Sequence, residues 1–148
     1  MTDRFVDSYL LYLLARASSE ASAQFHERLK KHSLQVPEWR VLASLSDGDG
    51  MTVGELALRA LQHQPTMTKT IDRMVGSGLV ERRQGDPDRR QVRVFITAEG
   101  RRRVNAALED AKLHESEVLA DYSANEAAQL KSMLQTLIER NGAPPNDD

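Results

Sequence analysis

Three groups of side chains in this 148-residue chain have types and spacings that could do chemistry. The first lies between Gln64 and Ser77. At about 100° per residue, Met67, Ile71, Met74 and Val75 share one face of a helix, while Thr66, Lys69 and Arg73 point the other way with Asp72 nearby. A short helix with hydroxyls and cations on its outer face can reach base edges and phosphates in a major groove. The plainer reading is a solvated helix face. The second group is Asp88-Arg89-Arg90 in a turn-rich segment. An arginine at a hairpin tip can enter a narrow minor groove, where the negative potential is enhanced. Asp88 could hold the Arg90 guanidinium in a bidentate pair, or the two could form an ordinary surface ion pair. The third is Tyr12 and Arg16, one helical turn apart.

Other chemistry is excluded or unsupported. The chain has no cysteine, which removes disulfides, zinc–thiolate sites, iron–sulfur clusters and any thiol switch. His26, His32, His63 and His114 have no metal-ligand spacing; His114-Glu115-x-Glu117 could contribute ligands, but a solvated acidic helix face accounts for it. No nucleophile–base pair, glycine-rich phosphate loop or paired-carboxylate cleft stands out, so no enzyme activity and no cofactor are expected. The first nine residues lack a signal-peptide pattern and the longest apolar run, Tyr9 to Ala15, is far short of a membrane span, so a cytoplasmic protein is expected.

The net charge of −2 conceals a strong asymmetry. Residues 63–103 hold ten Lys/Arg against five Asp/Glu, a balance of +5, whereas residues 104–148 hold three against nine, a balance of −6. A local basic block is the electrostatic footprint of nucleic-acid binding, or else a solvated charged hairpin.

These groups need elements to position them. Leu10, Leu14, Ala17, Ala21, Phe25 and Leu29 recur at helical spacing and predict one long helix from about Arg4 to Lys31. Such a helix would be roughly 40 Å long, too long to bury its stripe in one small core, and so points to a second subunit. Pro37 opens a second helix to about Leu45. Residues 46–50 read as a turn, and Thr52-Val53-Gly54-Glu55 as a capping box that opens a third helix to about Leu61. Gln64-Pro65 starts the fourth, ending at Gly76-Ser77-Gly78. Two strands follow, 79–83 and 91–97, joined by a charged hairpin tip. Thr97 caps a fifth helix to about Asp121, and Ser123-Ala124-Asn125-Glu126 a sixth with the stripe Leu130, Met133, Leu134, Leu137 and Ile138. The expected fold is mainly α with a small β-hairpin wing. It comprises a winged helix-turn-helix lobe over 35–100, dimerisation helices over 4–34 and 101–141, and a loose tail over 142–148.

Pro37-Glu38-Trp39-Arg40-Val41-Leu42, Thr52-Val53-Gly54-Glu55-Leu56-Ala57, Gly78-Leu79-Val80-Glu81-Arg82, Asp86-Pro87-Asp88-Arg89-Arg90 and Ile96-Thr97-Ala98-Glu99-Gly100 come in that order. Together they resemble the multiple antibiotic resistance regulator (MarR) family, over residues 5 to 140. The resemblance implies a homodimer that places two winged lobes on a pseudo-palindromic double-stranded DNA operator. It implies a recognition helix over Gln64–Ser77, with Gln64, Thr66, Thr68, Lys69 and Arg73 as DNA contacts. It also implies a wing in which Arg89 and Arg90 meet DNA and Asp88 braces Arg90. In many members a small molecule binds between the dimer and DNA lobes; the resemblance places Tyr12, Arg16 and Trp39 at that pocket, where a guanidinium beside aromatic rings suits an aromatic carboxylate. Otherwise Arg16 pairs with an acidic residue of the partner subunit and both aromatics are core. The sequence departs from the family pattern at Leu61-Gln62-His63-Gln64-Pro65, where a glycine and a serine-rich start are usual. It departs again at Val36, where a Ser or Thr cap is usual. The leading reading is a transcriptional repressor released by ligand. The alternative is a helical dimer whose winged lobes bind a protein partner instead of DNA.

Overall fold

The structure is a computed structural model that describes residues 4–84 and 91–142. These carry seven α-helices, one 3-10 turn and three short strands. The chain divides into two compact units, Met1–Lys112 and Leu113–Asp148.

In the first unit the single long helix expected at the N-terminus is interrupted. α1 covers only Phe5–Ser8, Tyr9 is extended at φ −71°, ψ 123°, and α2 begins afresh at Leu10–Leu29. The Ser8 hydroxyl donates to the Phe5 carbonyl, a local bond that competes with the helix ladder, and the Phe5 and Tyr9 rings stack 5.0 Å apart. The 20 residues of α2 therefore span about 30 Å. A 3-10 turn, Lys30–His32, follows and stops at Ser33, whose φ of 54° is left-handed.

α3 covers Val36–Asp47 with Pro37 in its first turn. Its cap is Gln35, one residue before the Val36 that the sequence suggested, and the Glu38 carboxylate accepts the Gln35 backbone N–H at 2.8 Å. The turn after α3 is followed by a strand that the sequence did not predict. β1, Met51–Thr52, pairs antiparallel with β3, so the wing hairpin gains a third strand in the order β1-β3-β2. α4 is Val53–Arg59, capped as expected by the Thr52 hydroxyl, which accepts the Glu55 N–H at 3.2 Å. α5 is Gln64–Gly76; β2 and β3 are Val80–Gln84 and Val92–Ile96, in register from Val80–Ile96 to Gln84–Val92.

The core sits where these elements meet. Val41, Leu42 and Leu45 of α3, Leu56 of α4, Met67, Ile71 and Met74 of α5, Val94 of β3 and Val104 of α6 are wholly buried. Each contributes on the order of 1.5–3 kcal/mol of transfer free energy. From α2 only Phe25 and Leu29 are buried among the residues of the expected stripe, so its first half is left bare. Trp39 packs edge-on against Phe25 with centroids 5.1 Å apart.

α6, Ala98–Val118, ends three residues before the expected Asp121. In the second unit α7, Ala124–Asn141, opens on the full capping box: Ser123 accepts the Glu126 N–H at 3.1 Å and Glu126 accepts the Ser123 N–H at 2.9 Å. No residue of α7 is buried. His114 is buried, not solvated as the acidic-face reading held, while Glu115 is exposed and pairs with Lys131 at 2.6 Å. Among the described residues no group of His, Asp and Glu could hold a metal, and no helix is long and apolar enough to cross a membrane.

Candidate nucleic-acid interface

The outer face of α5 depends on how its inner face is held. Met67, Ile71 and Met74 are buried as the periodicity predicts, but Val75 is 38% exposed and Thr70 takes the fourth inner position. The signal for Thr70 was present: 67, 70, 71 and 74 form the i, i+3, i+4, i+7 set of one helix face. The polar side chain is tolerated there because its hydroxyl is satisfied, lying 3.1 Å from the Thr66 carbonyl and 3.3 Å from Gln62 Oε1. That second contact ties the helix to the turn before it.

The turn itself closes without the usual glycine. Leu61 adopts a φ of 57°, and the Gln62 N–H reaches back to the Ala57 carbonyl at 2.9 Å, the long bond of a Schellman-type helix end. Arg40 of α3 donates to the Ala60 carbonyl at 3.2 Å, which holds the turn against the core. The α4–turn–α5 unit is therefore fixed from three sides.

Gln64, Thr66, Thr68, Lys69 and Arg73 are all exposed. Thr68 spends its hydroxyl on the Gln64 carbonyl at 3.1 Å, and Arg73 lies 3.4 Å from the Thr70 hydroxyl. Lys69 has no ion pair or hydrogen bond among the described residues, so its ammonium is free for an anion. Asp72 does something the sequence did not suggest: it accepts from Arg82 of β2 at 2.5 Å and so sets the wing beside the helix.

The wing brings further cations that sequence reading passed over. Arg83 lies 4.6 Å above the Phe95 ring and pairs with Glu81. Arg93, opposite Arg83 in the ladder, donates to the Gly50 carbonyl at 2.8 Å. The alternation of the strands was the available signal, since it places Arg83 and Arg93 on one side of the hairpin. Asp88, Arg89 and Arg90 lie outside the described residues.

The residues assigned to a ligand pocket are not gathered in one place. Arg16 donates to the Tyr12 hydroxyl at 3.0 Å and to Glu20 at 2.5 Å, all on exposed or half-exposed turns of α2. Trp39 instead sits with Phe25, 13 residues beyond Tyr12, or about 20 Å along the helix axis.

The arrangement of α3, α4 and α5 under a three-stranded wing has close counterparts. Residues 32–91 match the family model of the MarR family. The chain is 44% identical to a MarR family transcriptional regulator from Silicibacter pomeroyi, covering 93% of this chain and 98% of that one with a TM-score of 0.81. This chain belongs to the MarR family. It is also 30% identical to the homoprotocatechuate degradative operon repressor of Escherichia coli, over 89% of this chain and 88% of that one. The fold matches the transcriptional repressor CouR bound to a 23-mer DNA duplex, with 25% identity, coverage of 93% and 97%, and a TM-score of 0.79. MarR-family proteins are DNA-binding transcriptional regulators without enzyme activity. In that frame β2 and β3 form the wing of this MarR-family winged-helix fold, beside α5.

Proposed function

We propose that this MarR-family regulator is a homodimeric repressor that binds a pseudo-palindromic operator through α5 and the wing and leaves it when an aromatic carboxylate binds. The observation that carries the DNA surface is the exposed set Gln64, Thr66, Thr68, Lys69 and Arg73 on a helix whose opposite face is wholly buried. Arg89 and Arg90 extend this surface into the adjacent minor groove, with Asp88 bracing Arg90. Cations on both the helix and the wing suit a phosphate backbone, so DNA is the favoured partner. The aromatic carboxylate is supported by the Tyr12–Arg16 contact and by the relative that represses an operon for homoprotocatechuate degradation.

A gel shift on the chain's own upstream promoter should give a retarded band that weakens steeply with salt and disappears on adding homoprotocatechuate. A band insensitive to the ligand removes the effector part of the reading; no band at any salt concentration removes the DNA part.

Dimerisation is supported by apolar surface that one chain leaves in water. Phe5, Leu10, Leu11 and Leu13 are 47–72% exposed at the N-terminus, and Leu130, Met133 and Ile138 are 40–69% exposed on α7. Large exposed apolar side chains clustered along a helix, as on each of these segments, mark an interface. Sedimentation at micromolar concentration should return twice the 16.6 kDa chain mass, with no folded monomer. A folded monomer at that concentration would refute the dimer.

A further inference from the structure

A cleft of about 270 Å³ opens where the 3-10 turn after α2 meets the start of α6, lined by Lys31, His32, Ser33, Arg102, Arg103 and Ala106. We propose that this cleft is a binding site for a small oxyanion, a carboxylate or phosphate group carried by a metabolite.

The charge balance favours an anion. Arg102 and Arg103 both draw on one carboxylate, Glu99, at 2.5 and 3.2 Å. Asp110, the other nearby carboxylate, is occupied by Arg28 and His32, each at 3.2 Å. Lys31 has no ion pair or hydrogen bond among the described residues. The cleft is thus left with more positive than negative charge, and two guanidinium groups with donors to spare.

Pairing within the helix accounts for only part of the cationic charge, since Arg102 and Arg103 share the single carboxylate of Glu99. Arg101, Arg102 and Arg103 stand in the first two turns of α6, where the helix dipole disfavours positive charge. The position is also built: the Asp110 carboxylate bonds His32 and Arg28 together, which fixes the 3-10 turn against α6.

A small molecule fits better than the DNA backbone. β3 runs from Val92, beside the hairpin tip, to Ile96 at its base, about 13 Å away. α6 starts at that base, so the cleft lies toward the end of the hairpin opposite the tip. The proposed anion site is therefore separate from the tip of the wing, and its existence does not depend on the DNA reading.

Calorimetric titration of the full chain in low-salt buffer, with sodium phosphate in one arm and sodium benzoate in the other, tests this. At least one anion should bind saturably, and the arms distinguish the two chemistries. The double variant Lys31→Gln/Arg102→Gln should weaken that binding about tenfold or more, since it removes two charge-assisted donors. Both side chains are exposed, so thermal unfolding should be unchanged. Arg103→Lys keeps the charge but loses the planar fork and should weaken binding by less. Saturable binding of neither anion, or equal affinity in the double variant, would overturn the site. A double variant that binds both anions like the parent but loses affinity for promoter DNA would show a backbone contact there instead, and overturn it as well.

Discussion

Gly100→Ala should destabilise the protein by about 2 kcal/mol or more, lowering the melting temperature by roughly 4–8 °C. The residue is helical, and on an exposed helix the same change stabilises by up to about 1 kcal/mol. Here a Cβ would stand 2.3 Å from the Leu79 carbonyl oxygen, 2.9 Å from Ile96 and 3.3 Å from Leu42. The nearest of these atoms is backbone and cannot rotate away. Nor can α6 easily back off. Thr97 N–H donates to that same Leu79 carbonyl at 3.1 Å, and the Thr97 hydroxyl lies 2.6 Å from the Gly78 carbonyl and 3.0 Å from the Gly100 N–H. The first turn of α6 is clamped onto the start of β2, and the glycine is what lets the two backbones meet. Gly76→Ala provides the opposite case. It lies at the end of α5, its Cβ would meet nothing within 4 Å, and the substitution should be neutral or stabilising. Urea unfolding of the pair, with the slope of the transition held as a check on compactness, decides the matter. Equal midpoints for the two variants would mean that α6 is not seated as described.

Arg73→Ala should cost about 1–3 kcal/mol of operator affinity, roughly 5- to 150-fold, and relax discrimination at one base position. Its guanidinium has only the weak 3.4 Å contact to Thr70 to give up before it meets a base edge. Lys69→Ala should behave differently. A lysine without a partner is a point charge for a phosphate, so its loss should weaken binding to all sequences alike and reduce the magnitude of the log–log salt slope by ~0.9. Neither change should move stability by more than about 0.5 kcal/mol, because both side chains are exposed. Fluorescence anisotropy with labelled operator at several salt concentrations, beside an operator carrying single base changes, separates the two signatures. If both variants bind like the parent, α5 is not the surface that reads DNA.

These two predictions draw on different kinds of information. The face of α5 could be read from one dimension because a helix repeats its environment every few residues: Met67, Ile71 and Met74 declared the inner side, and Thr66, Lys69 and Arg73 followed as the outer. The caps at Thr52 and Ser123 were legible for the same reason, since donor and acceptor stand three residues apart. Gly100 could be seen as part of a motif, but not why a side chain is forbidden there; its neighbours Leu79 and Leu42 come from distant parts of the chain. The two-residue β1 had no signal of its own, because two residues show no alternation and its strand character comes from pairing with Val94 and Arg93. The Asp72–Arg82 tether and the gathering of Lys31 with Arg102 and Arg103 were equally out of reach. Local hydrogen bonding and helical period, both short-range, fixed the elements and the family. Tertiary packing alone decided which charges stand together, because electrostatic and steric contacts depend on distance in space and the sequence records only distance along the chain.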